Sequence, residues 1–359
     1  MSDIGKYCEA ACKLLSEMVA IPSESFHESR RADFLCSFLK NEGIDHSRYG
    51  NNIVARQAAD DPGKPVLMLN AHIDTVAAAA GYSFNPINPP ADKDRILGLG
   101  SNDDGASVAC MIFTLIHATR ERLKLPVNLM LALSCEEERS GENGMRMLRR
   151  IVERDADFAI VGEPTEMKAA IAEKGLLVVD ATCEGRSAHC AHAELGVNAI
   201  YKAVTAIAAI RDLEFGRVSP SMGQVGLNIT QINAGTAHNV IPDYCSFVVD
   251  IRTTDSYTNE EIMELLGEAA PQCGLKARNM LNHASATPQG HPLLKTAEKL
   301  GIETYISPTT SDWMRLSIPA IKMGPGDSNR SHKADEFVYR DEIADGLKKY
   351  IEFISNIQV

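Results

Sequence analysis

The feature of this sequence that most restricts its fold is an alternation of short apolar runs with longer helical patterns in the amino-terminal half. Two of the runs, Val66–Leu69 and Leu129–Leu133, are apolar at every position, which is typical of strands that are covered on both faces. A helical pattern over Gly105–Arg122 separates them. Strands that alternate with helices in this way predict an α/β layered sheet.

A second pattern begins near Gly175 and predicts the order β-α-β-β-α-β, which is that of a ferredoxin-like unit. Its predicted strands are Leu176–Cys183, Gln224–Ile232, Tyr244–Arg252 and Leu275–Leu281, and its predicted helices are Glu194–Leu213 and Asn259–Cys273. A polar linker follows, and then α/β patterns resume. We therefore predict an α/β domain formed by residues 1–175 and 284–359, with a module inserted at residues 176–283.

Composition excludes several classes of protein. Lys and Arg number 36 against 48 Asp and Glu, a net charge of −12 that would repel nucleic acid in the absence of a basic patch. No apolar stretch approaches the length of a membrane span, and the first twenty residues resemble an amphipathic surface helix rather than a signal peptide. The nine cysteines are scattered without a CxxC pair, which predicts nine reduced thiols and a cytoplasmic protein.

Acidic and imidazole side chains follow three of the predicted central strands. His72 and Asp74 come after the first strand, Glu136–Glu138 after the second and Glu163 after the third. In open α/β sheets, binding sites lie outside the carboxyl ends of the strands, so these side chains should converge on one crevice. Asp103 precedes a predicted helix, and Ser331-His332 lies in a late polar loop.

Such a cluster predicts a metal centre, because crowded carboxylates repel one another unless a cation neutralises them. Imidazole and carboxylate ligands without a thiolate pair suit catalytic zinc, and they are also acceptable to cobalt or manganese. A carboxylate that bridges two ions gives a two-metal hydrolytic site, and one further carboxylate can act as general base. A serine hydrolase is disfavoured, since the chain contains no G-x-S-x-G elbow.

These residues resemble the di-zinc aminoacylase/carboxypeptidase-type metallohydrolases, a family that includes acetylornithine deacetylase and succinyl-diaminopimelate desuccinylase. The resemblance covers nearly the whole chain, in the same order. It rests on the segments 69–76, 98–105, 136–138, 161–165 and 331–332, and on 185–189, 196–200 and 238–243 of the inserted module. The family's fold is a zinc-hydrolase α/β domain with an inserted dimerisation module, which implies a homodimer.

The resemblance implies a role for each matched residue. His72 and Glu163 resemble ligands of one zinc ion, and His332 resembles a ligand of the other. Asp103 resembles the bridging carboxylate, with a cis peptide bond to the next residue. Asp74 resembles an acid that orients an active-site group.

The sequence allows two alignments of the glutamate triple, Glu136–Glu138, with the family's pattern. Matching Ser134 to the family's threonine makes Glu137 the general base and Glu138 the second ligand of the His332 ion. A shift by one residue would assign these roles to Glu136 and Glu137. The first alignment is favoured because it keeps the preceding strand in register.

In the module, His189 resembles a residue that stabilises the oxyanion. Arg252 resembles the residue that binds the substrate's α-carboxylate, and Asn239 resembles a nearby polar contact. A guanidinium holds a carboxylate through two parallel hydrogen bonds. A structural ion pair is the alternative for Arg252. We assign no role to His192, which follows His189 closely.

The implied activity is hydrolysis of the amide bond of an N-acyl amino acid, with two zinc ions per subunit. N-acetylornithine, or another N-acyl-ornithine, is the first choice of substrate, which would place the chain in arginine biosynthesis. The alternatives are a succinyl-diaminopimelate desuccinylase and a di-zinc dipeptidase or carboxypeptidase. A peptidase stays open because Gly105-Ala106 follows the acidic pair where the family often has Lys-Gly.

Overall fold

The structure is a computed structural model that describes residues 3–57 and 61–359. Its helices are α1 Asp3–Val19, α2 Ser29–Asn41, α3 Gly105–Arg120, α4 Met145–Val152, α5 Ala199–Arg211, α6 Asn259–Ala269, α7 Pro292–Lys299 and α8 Arg340–Ser355. Its strands are β1 His46–Tyr49, β2 Asn52–Arg56, β3 Val66–His72, β4 Arg95–Leu97, β5 Asn128–Ser134, β6 Phe158–Val161, β7 Ala169–Glu173, β8 Gly175–Glu184, β9 Ala188–His189, β10 Gly226–Ala234, β11 Val240–Ile241, β12 Tyr244–Thr253, β13 Gly274–Ala277, β14 Ser285–Ala286, β15 Thr304–Ser307, β16 Ala320–Lys322 and β17 Phe337–Tyr339.

The chain divides into two compact units. The first comprises residues 1–171, 286–305 and 311–359, and the second comprises residues 172–285 and 306–310. These boundaries differ by a few residues from those that the sequence suggests at 175/176 and 283/284. The short segment 306–310 belongs to the second unit although it follows the linker in the chain.

The first unit contains a mixed sheet whose strands run in the order β1-β2-β5-β3-β6-β16-β7. Its centre is parallel, with β3 paired to both β5 and β6, and β6 paired to β16. Alternate side chains of β3 enter two different cores: Leu67 and Leu69 pack with α1, α3 and α8, whereas Met68 packs with α4. Both faces of the central strands are therefore covered, which explains why their sequences are apolar at every position.

The second unit is an antiparallel sheet in the order β10-β12-β8-β13, with α5 and α6 contributing to its core. The burial of side chains along β8 and β12 alternates, as expected for a sheet with one packed face. The chain order of the main elements is β8-α5-β10-β12-α6-β13, so the predicted β-α-β-β-α-β topology is confirmed. The α/β fold class predicted for the remainder of the chain is also confirmed.

Two sequence predictions in the second unit are wrong. The nine cysteines are not all reduced, because Cys183 and Cys273 form a disulfide across 90 residues of sequence. The reason is the pairing of β13 with β8, which aligns Gly274 with Thr182 and so brings the neighbouring cysteines together. The spacing of the two cysteines in the sequence does not indicate this register. The other seven cysteines are free.

The predicted helix from Glu194 begins later, at Ala199. The side chain of Asn198 accepts a hydrogen bond from the backbone N–H of Ile200 at 2.9 Å and so caps the helix. The preceding residues form a 3₁₀ segment, Cys190–Leu195. Among the described residues, no helix is both long and apolar enough to cross a membrane.

Candidate metal centre

The sheet of the first unit brings the predicted ligands to one edge. His72 is the last residue of β3, the glutamate triple follows β5, and Glu163 lies two residues beyond β6. Because β3 lies between β5 and β6 and runs parallel to both, these three chain segments leave the sheet side by side. Asp103 comes from the loop before α3, and the peptide bond that follows it is cis, as the resemblance implies.

The carboxylate of Asp103 lies between two imidazoles. Its Oδ1 is 3.2 Å from His72 Nε2, and its Oδ2 is 3.6 Å from His332 Nε2. The same nitrogen of His332 is 3.0 Å from Glu138 Oε1 and 2.9 Å from Oε2. Each imidazole thus faces a different oxygen of Asp103, which is the arrangement that a carboxylate bridging two ions requires.

These separations fit a metal ion. Ligand atoms about 2.1 Å from a tetrahedral zinc ion lie about 3.4 Å from one another, and the observed distances scatter around that value. Within the described part of the chain, His72, Asp103 and Glu138 form a group of metal-ligating type whose ligand atoms all lie within 4.8 Å of one another. Glu163 is not a member of this group, although its carboxyl lies close enough to Asp103 for the charge of Asp103 to raise its pKa.

The electrostatics of the site also call for a cation. Burial raises the pKa of Glu137 well above its ordinary range, and the charges of Glu163 and Asp312 raise it further. Burial and the charge of Asp103 have the same effect on the pKa of Glu163. A hydrogen bond to Glu138 raises the pKa of His332 to about 9. In the absence of divalent ions, protons must supply the positive charge that these carboxylates need.

Asp74 orients both halves of the site. The backbone carbonyl of Asp74 is 3.1 Å from His72 Nδ1, which leaves Nε2 directed at Asp103. Its Oδ1 accepts a hydrogen bond from the backbone N–H of Glu137 at 3.0 Å, and its Oδ2 accepts one from that of Glu138 at 3.1 Å. Partners of this kind determine the direction and basicity of metal ligands.

The three glutamates after β5 have different surroundings. The carboxylate of Glu136 accepts hydrogen bonds from the backbone N–H and the side-chain amide of Asn143, both at 3.0 Å. Glu138 faces His332. Glu137, which lies between Glu136 and Glu138 in the chain, is half-buried. This geometry favours Glu137 as base and Glu138 as ligand. It gives no support to the register shifted by one residue, since Glu136 is already engaged away from the imidazoles.

Sequence reasoning missed three buried acids that support the site. Glu336 accepts hydrogen bonds from the backbone N–H groups of Gly100, Asn102 and Asp103, each at 3.0 Å. Glu28 accepts one from the backbone N–H of Glu136 at 3.1 Å, and Asp312 accepts one from the hydroxyl of Ser134. Each acts on a backbone or side chain far away in sequence, so no local motif signals it. Only its place four residues after His332 could have drawn attention to Glu336.

The predicted residues of the second unit lie at two places. His189 and Asn239 are neighbours, because Val240 pairs with His189 and the carbonyl of Asn239 accepts a hydrogen bond from Cys190 N–H at 3.0 Å. Nδ1 of His189 accepts a hydrogen bond from the backbone N–H of Ala191, which leaves Nε2 as the donor. Arg252 lies at the carboxyl end of β12, and its guanidinium donates two hydrogen bonds to Asp250.

Comparison with known proteins shows which families this chain resembles. A model of the peptidase dimerisation domain of the M20 peptidases matches residues 171–273, and a model of peptidase family M28 matches residues 52–152. The chain is 28% identical over 363 residues to a succinyl-diaminopimelate desuccinylase of Corynebacterium glutamicum, covering 94% of this chain and 95% of that one. The second unit thus matches a domain of the M20 peptidases, and nearly the whole chain is similar to a desuccinylase. The resemblance predicted from its motifs is therefore confirmed.

Other relatives also span most of the chain. An acetylornithine deacetylase of Klebsiella pneumoniae is 28% identical over 313 residues, which are 82% of this chain and 80% of that one. Among solved structures, aminopeptidase PepT of Bacillus cereus superposes with a TM-score of 0.80 at 20% identity, covering 97% and 98% of the two chains. The YXEP protein of Bacillus subtilis, a dinuclear metal-binding peptidase of the M20 family, gives 0.73 at 15% identity, with coverage of 98% and 100%. The chain is a metal-dependent amidohydrolase, as the sequence predicts.

Proposed function

We propose that this chain is an M20 enzyme and hydrolyses the amide bond of N-acyl amino acids at a two-metal centre. The observation that carries the proposal is the position of the Asp103 carboxylate between His72 and His332, one oxygen toward each. His72, Asp103 and Glu163 would hold one ion, and His332, Asp103 and Glu138 the other. Zinc is the first choice of metal, with cobalt or manganese acceptable to the same ligands.

Bound divalent ions would polarise the acyl carbonyl and make a water molecule acidic enough to ionise near neutral pH. The carboxylate of Glu137 takes a proton from the attacking water molecule as the oxygen of that water bonds to the acyl carbon. The carbon–nitrogen bond then breaks, and Glu137 passes that proton to the departing amine nitrogen. We assign the Nε2–H group of His189 as the hydrogen-bond donor to the oxyanion that forms.

For the substrate we propose an N-acyl α-amino acid with a free carboxylate, held by Arg252 and assisted by Asn239. N-acetylornithine, or another N-acyl-ornithine, remains the first choice, which would assign the chain to arginine biosynthesis. The acetylornithine deacetylases among its relatives support this choice, and the desuccinylases support succinyl-diaminopimelate as the second. A dipeptidase or carboxypeptidase is the third. The ion pair of Arg252 with Asp250 must open, or be shared, when a carboxylate binds.

We also propose that the enzyme is a homodimer formed through the second unit. That unit exposes large apolar side chains on α5 and on the edge strand β10: Tyr201 is 73% exposed, Val204 54% and Ile232 52%. Burying such side chains against a second copy would remove them from water. The match to a peptidase dimerisation domain supports the same assembly.

The second unit gives a reason for dimerisation to matter in catalysis. Tyr244 and Arg252 lie toward opposite ends of β12, about 26 Å apart at the usual rise per residue. His189 and Asn239 lie at the Tyr244 end, since Gly185 N–H, four residues before His189, bonds the Asp243 carbonyl. If one substrate contacts both Arg252 and His189, the two residues must come from different subunits.

A cytoplasmic location stays a prediction. One of its supports, the expectation that all nine cysteines are reduced, is removed by the Cys183–Cys273 disulfide. Fractionation of the native host, followed by thiol labelling of the protein from each fraction, tests both points together.

The function is tested by kcat/KM of the zinc-loaded enzyme on N-acetylornithine, N-succinylornithine, N-acetylcitrulline, N-succinyl-diaminopimelate and a dipeptide. Each is also assayed as its carboxyl amide. The proposal expects N-acyl-ornithine to be best and the amides to be poor, because an amide cannot replace the carboxylate on Arg252. Equal rates on acids and amides would remove the role of Arg252. A preference for the dipeptide would assign the chain to the peptidases.

A further inference from the structure

Phe26 has an unusual conformation next to the metal centre. Its φ angle is +74°, in the left-handed region that bulky side chains rarely adopt. Its side chain is 57% exposed. Within the part of the chain that the structure describes, it belongs to none of the three hydrophobic clusters and to no aromatic pair.

Buried hydrogen bonds hold this backbone in place. Glu28, which is fully buried, accepts a hydrogen bond from the N–H of Phe26 at 2.7 Å. On the preceding residue, Ser25, the N–H donates to the carbonyl of Thr75 at 3.1 Å and the hydroxyl donates to Asp74 Oδ2 at 2.7 Å. The unfavourable φ angle is therefore imposed by the surrounding structure.

The same contacts place the backbone of Phe26 beside the glutamate triple, Glu136–Glu138. Oε1 of Glu28 accepts hydrogen bonds from the N–H of Phe26 and from that of Glu136, so these two nitrogens lie within about 6 Å of each other. The Asp74 carboxylate that Ser25 contacts also binds the N–H groups of Glu137 and Glu138. The backbone of Phe26, which carries an exposed phenyl ring, is thus anchored beside the chain segment that carries the proposed base and metal ligand.

Packing within the chain does not explain this arrangement. A residue with a strained backbone and an exposed apolar ring contributes little to folding, and glycine would adopt the same φ angle without strain. Strained residues of this kind cluster at ligand-binding sites, where the surrounding structure holds them ready. A phenyl ring offers a substrate apolar surface and no hydrogen-bonding group.

We propose that Phe26 is a specificity-determining residue that packs against an apolar group of the substrate. This inference rests on the proposed function. The apolar group is either the acyl chain or the side chain of the amino acid, and the chemistry recognised is the same in both cases. The enzyme should therefore prefer substrates with more apolar surface at one of these positions, by about tenfold or more per well-placed group.

Two substrate series tell the positions apart in wild type, Phe26→Gly and Phe26→Leu enzymes. One series lengthens the acyl group on ornithine from formyl to hexanoyl, and the other varies the side chain of N-acetyl amino acids from alanine to leucine. We expect kcat/KM of the wild type to rise along one series and that of Phe26→Gly to stay flat, with the smallest substrate changed less than threefold. Phe26→Leu, which keeps an apolar side chain, should retain most of the rise.

A binding measurement keeps the test independent of turnover. Aliphatic hydroxamates from acetyl to hexanoyl are titrated by calorimetry into the metal-loaded enzymes, since the hydroxamate group binds metal ions and the length of its chain can be varied. Arg122→Gly is the matched control, because Arg122 is an exposed residue with a φ angle of +50° at the end of α3.

The expected result is an affinity that grows with chain length in wild type and Arg122→Gly, and does not grow in Phe26→Gly. If no N-acyl amino acid is hydrolysed but this pattern holds, the proposed function fails and the role of Phe26 stands. If Phe26→Gly weakens all substrates and hydroxamates by one common factor, or changes none, Phe26 has no part in specificity and the proposal is overturned.

Discussion

The carboxylate of Glu336 accepts a hydrogen bond from the backbone N–H of Asp103 at 3.0 Å. Glu336 is only 2% exposed and lies four residues after His332 in the chain. It thereby ties the loop that carries the proposed bridging carboxylate to the loop that carries a proposed histidine ligand. A site assembled from distant loops needs such a tie, because neither loop belongs to the central sheet.

Replacing Glu336 with glutamine should weaken metal binding. The amide NH₂ group would face a backbone N–H, since both carboxylate oxygens of Glu336 accept from backbone donors. We expect the Kd for zinc, measured by calorimetry, to rise roughly 10- to 100-fold, the usual effect of losing a group that orients ligands. Glu352→Gln, on an exposed part of α8, is the control. Equal zinc affinity in both variants would show that the tie is dispensable.

Substitution of single glutamates in the triple tests the proposed register. Glu137→Gln should lower kcat roughly 10²- to 10⁴-fold, the range for loss of a general acid–base group, with metal content unchanged. Glu138→Gln should lose metal, because its carboxylate faces His332. Metal analysis of each purified variant, alongside steady-state kinetics, makes the distinction.

Glu136→Gln serves as the internal comparison, since its carboxylate binds Asn143 rather than an imidazole. We expect it to keep its metal and most of its kcat. If Glu136→Gln is instead inactive with full metal content and Glu137→Gln loses metal, the register is shifted by one residue.

The sequence predicted the fold well because two regular signals repeat along it. Fully apolar strands such as Leu129–Leu133 indicate a sheet covered on both faces, and the strand–helix order of the module specifies its topology. The ends of the central strands then place His72 and Glu163 at one edge of the sheet without any structure. What remained hidden depends on contacts between distant segments.

The missed features share that origin. The Cys183–Cys273 disulfide follows from the register of β13 on β8, which spacing in the chain does not encode. Glu28 and Glu336 act on backbone N–H groups of other segments, and a buried acid in a loop reads like any surface acid. Phe26 drew no attention because its φ angle is imposed by such contacts.

His189 should act across the dimer interface. His189→Ala and Glu137→Gln are each expected to be inactive as homodimers. Heterodimers formed by subunit exchange should recover activity at one of their two sites, because that site combines an intact glutamate with the partner's intact histidine. Subunit exchange is verified separately with differently tagged chains. Failure to recover activity despite exchange would mean that His189 acts within its own subunit or has no role.

The metal-free protein should become less stable as the pH rises. Burial raises the pKa of Asp312 to about 6, that of Glu336 to about 7 and that of Asp104 to about 8, each above its value in an unfolded chain. The folded state therefore binds these protons more tightly than the unfolded state, and this contribution is lost between about pH 4 and pH 8. Carboxyls whose pKa is lowered in the folded state, such as that of Asp74, stabilise the protein throughout this range. Their contribution is lost only when the pH falls below it.

Thermal unfolding followed by circular dichroism checks this expectation. Tm of the chelator-treated wild-type protein should fall from pH 5 to pH 8. Between pH 5 and pH 6, the fall in Tm should be smaller in Asp312→Asn than in the wild type. Added zinc should raise Tm more at pH 8 than at pH 6, because metal binding displaces protons. A Tm that rises with pH in the metal-free protein would contradict this account of the buried acids.

The count of bound metal ions tests the central claim most directly. The protein is stripped with chelator, reloaded with excess zinc, passed through a desalting column and analysed for zinc by mass spectrometry, with Asp103→Ala and the surface variant Asp345→Ala in parallel. A carboxylate that bridges two ions predicts two zinc ions per chain in the wild type and in Asp345→Ala, and fewer in Asp103→Ala. One zinc ion per chain at saturation, with the same count in Asp103→Ala, would contradict the two-metal centre.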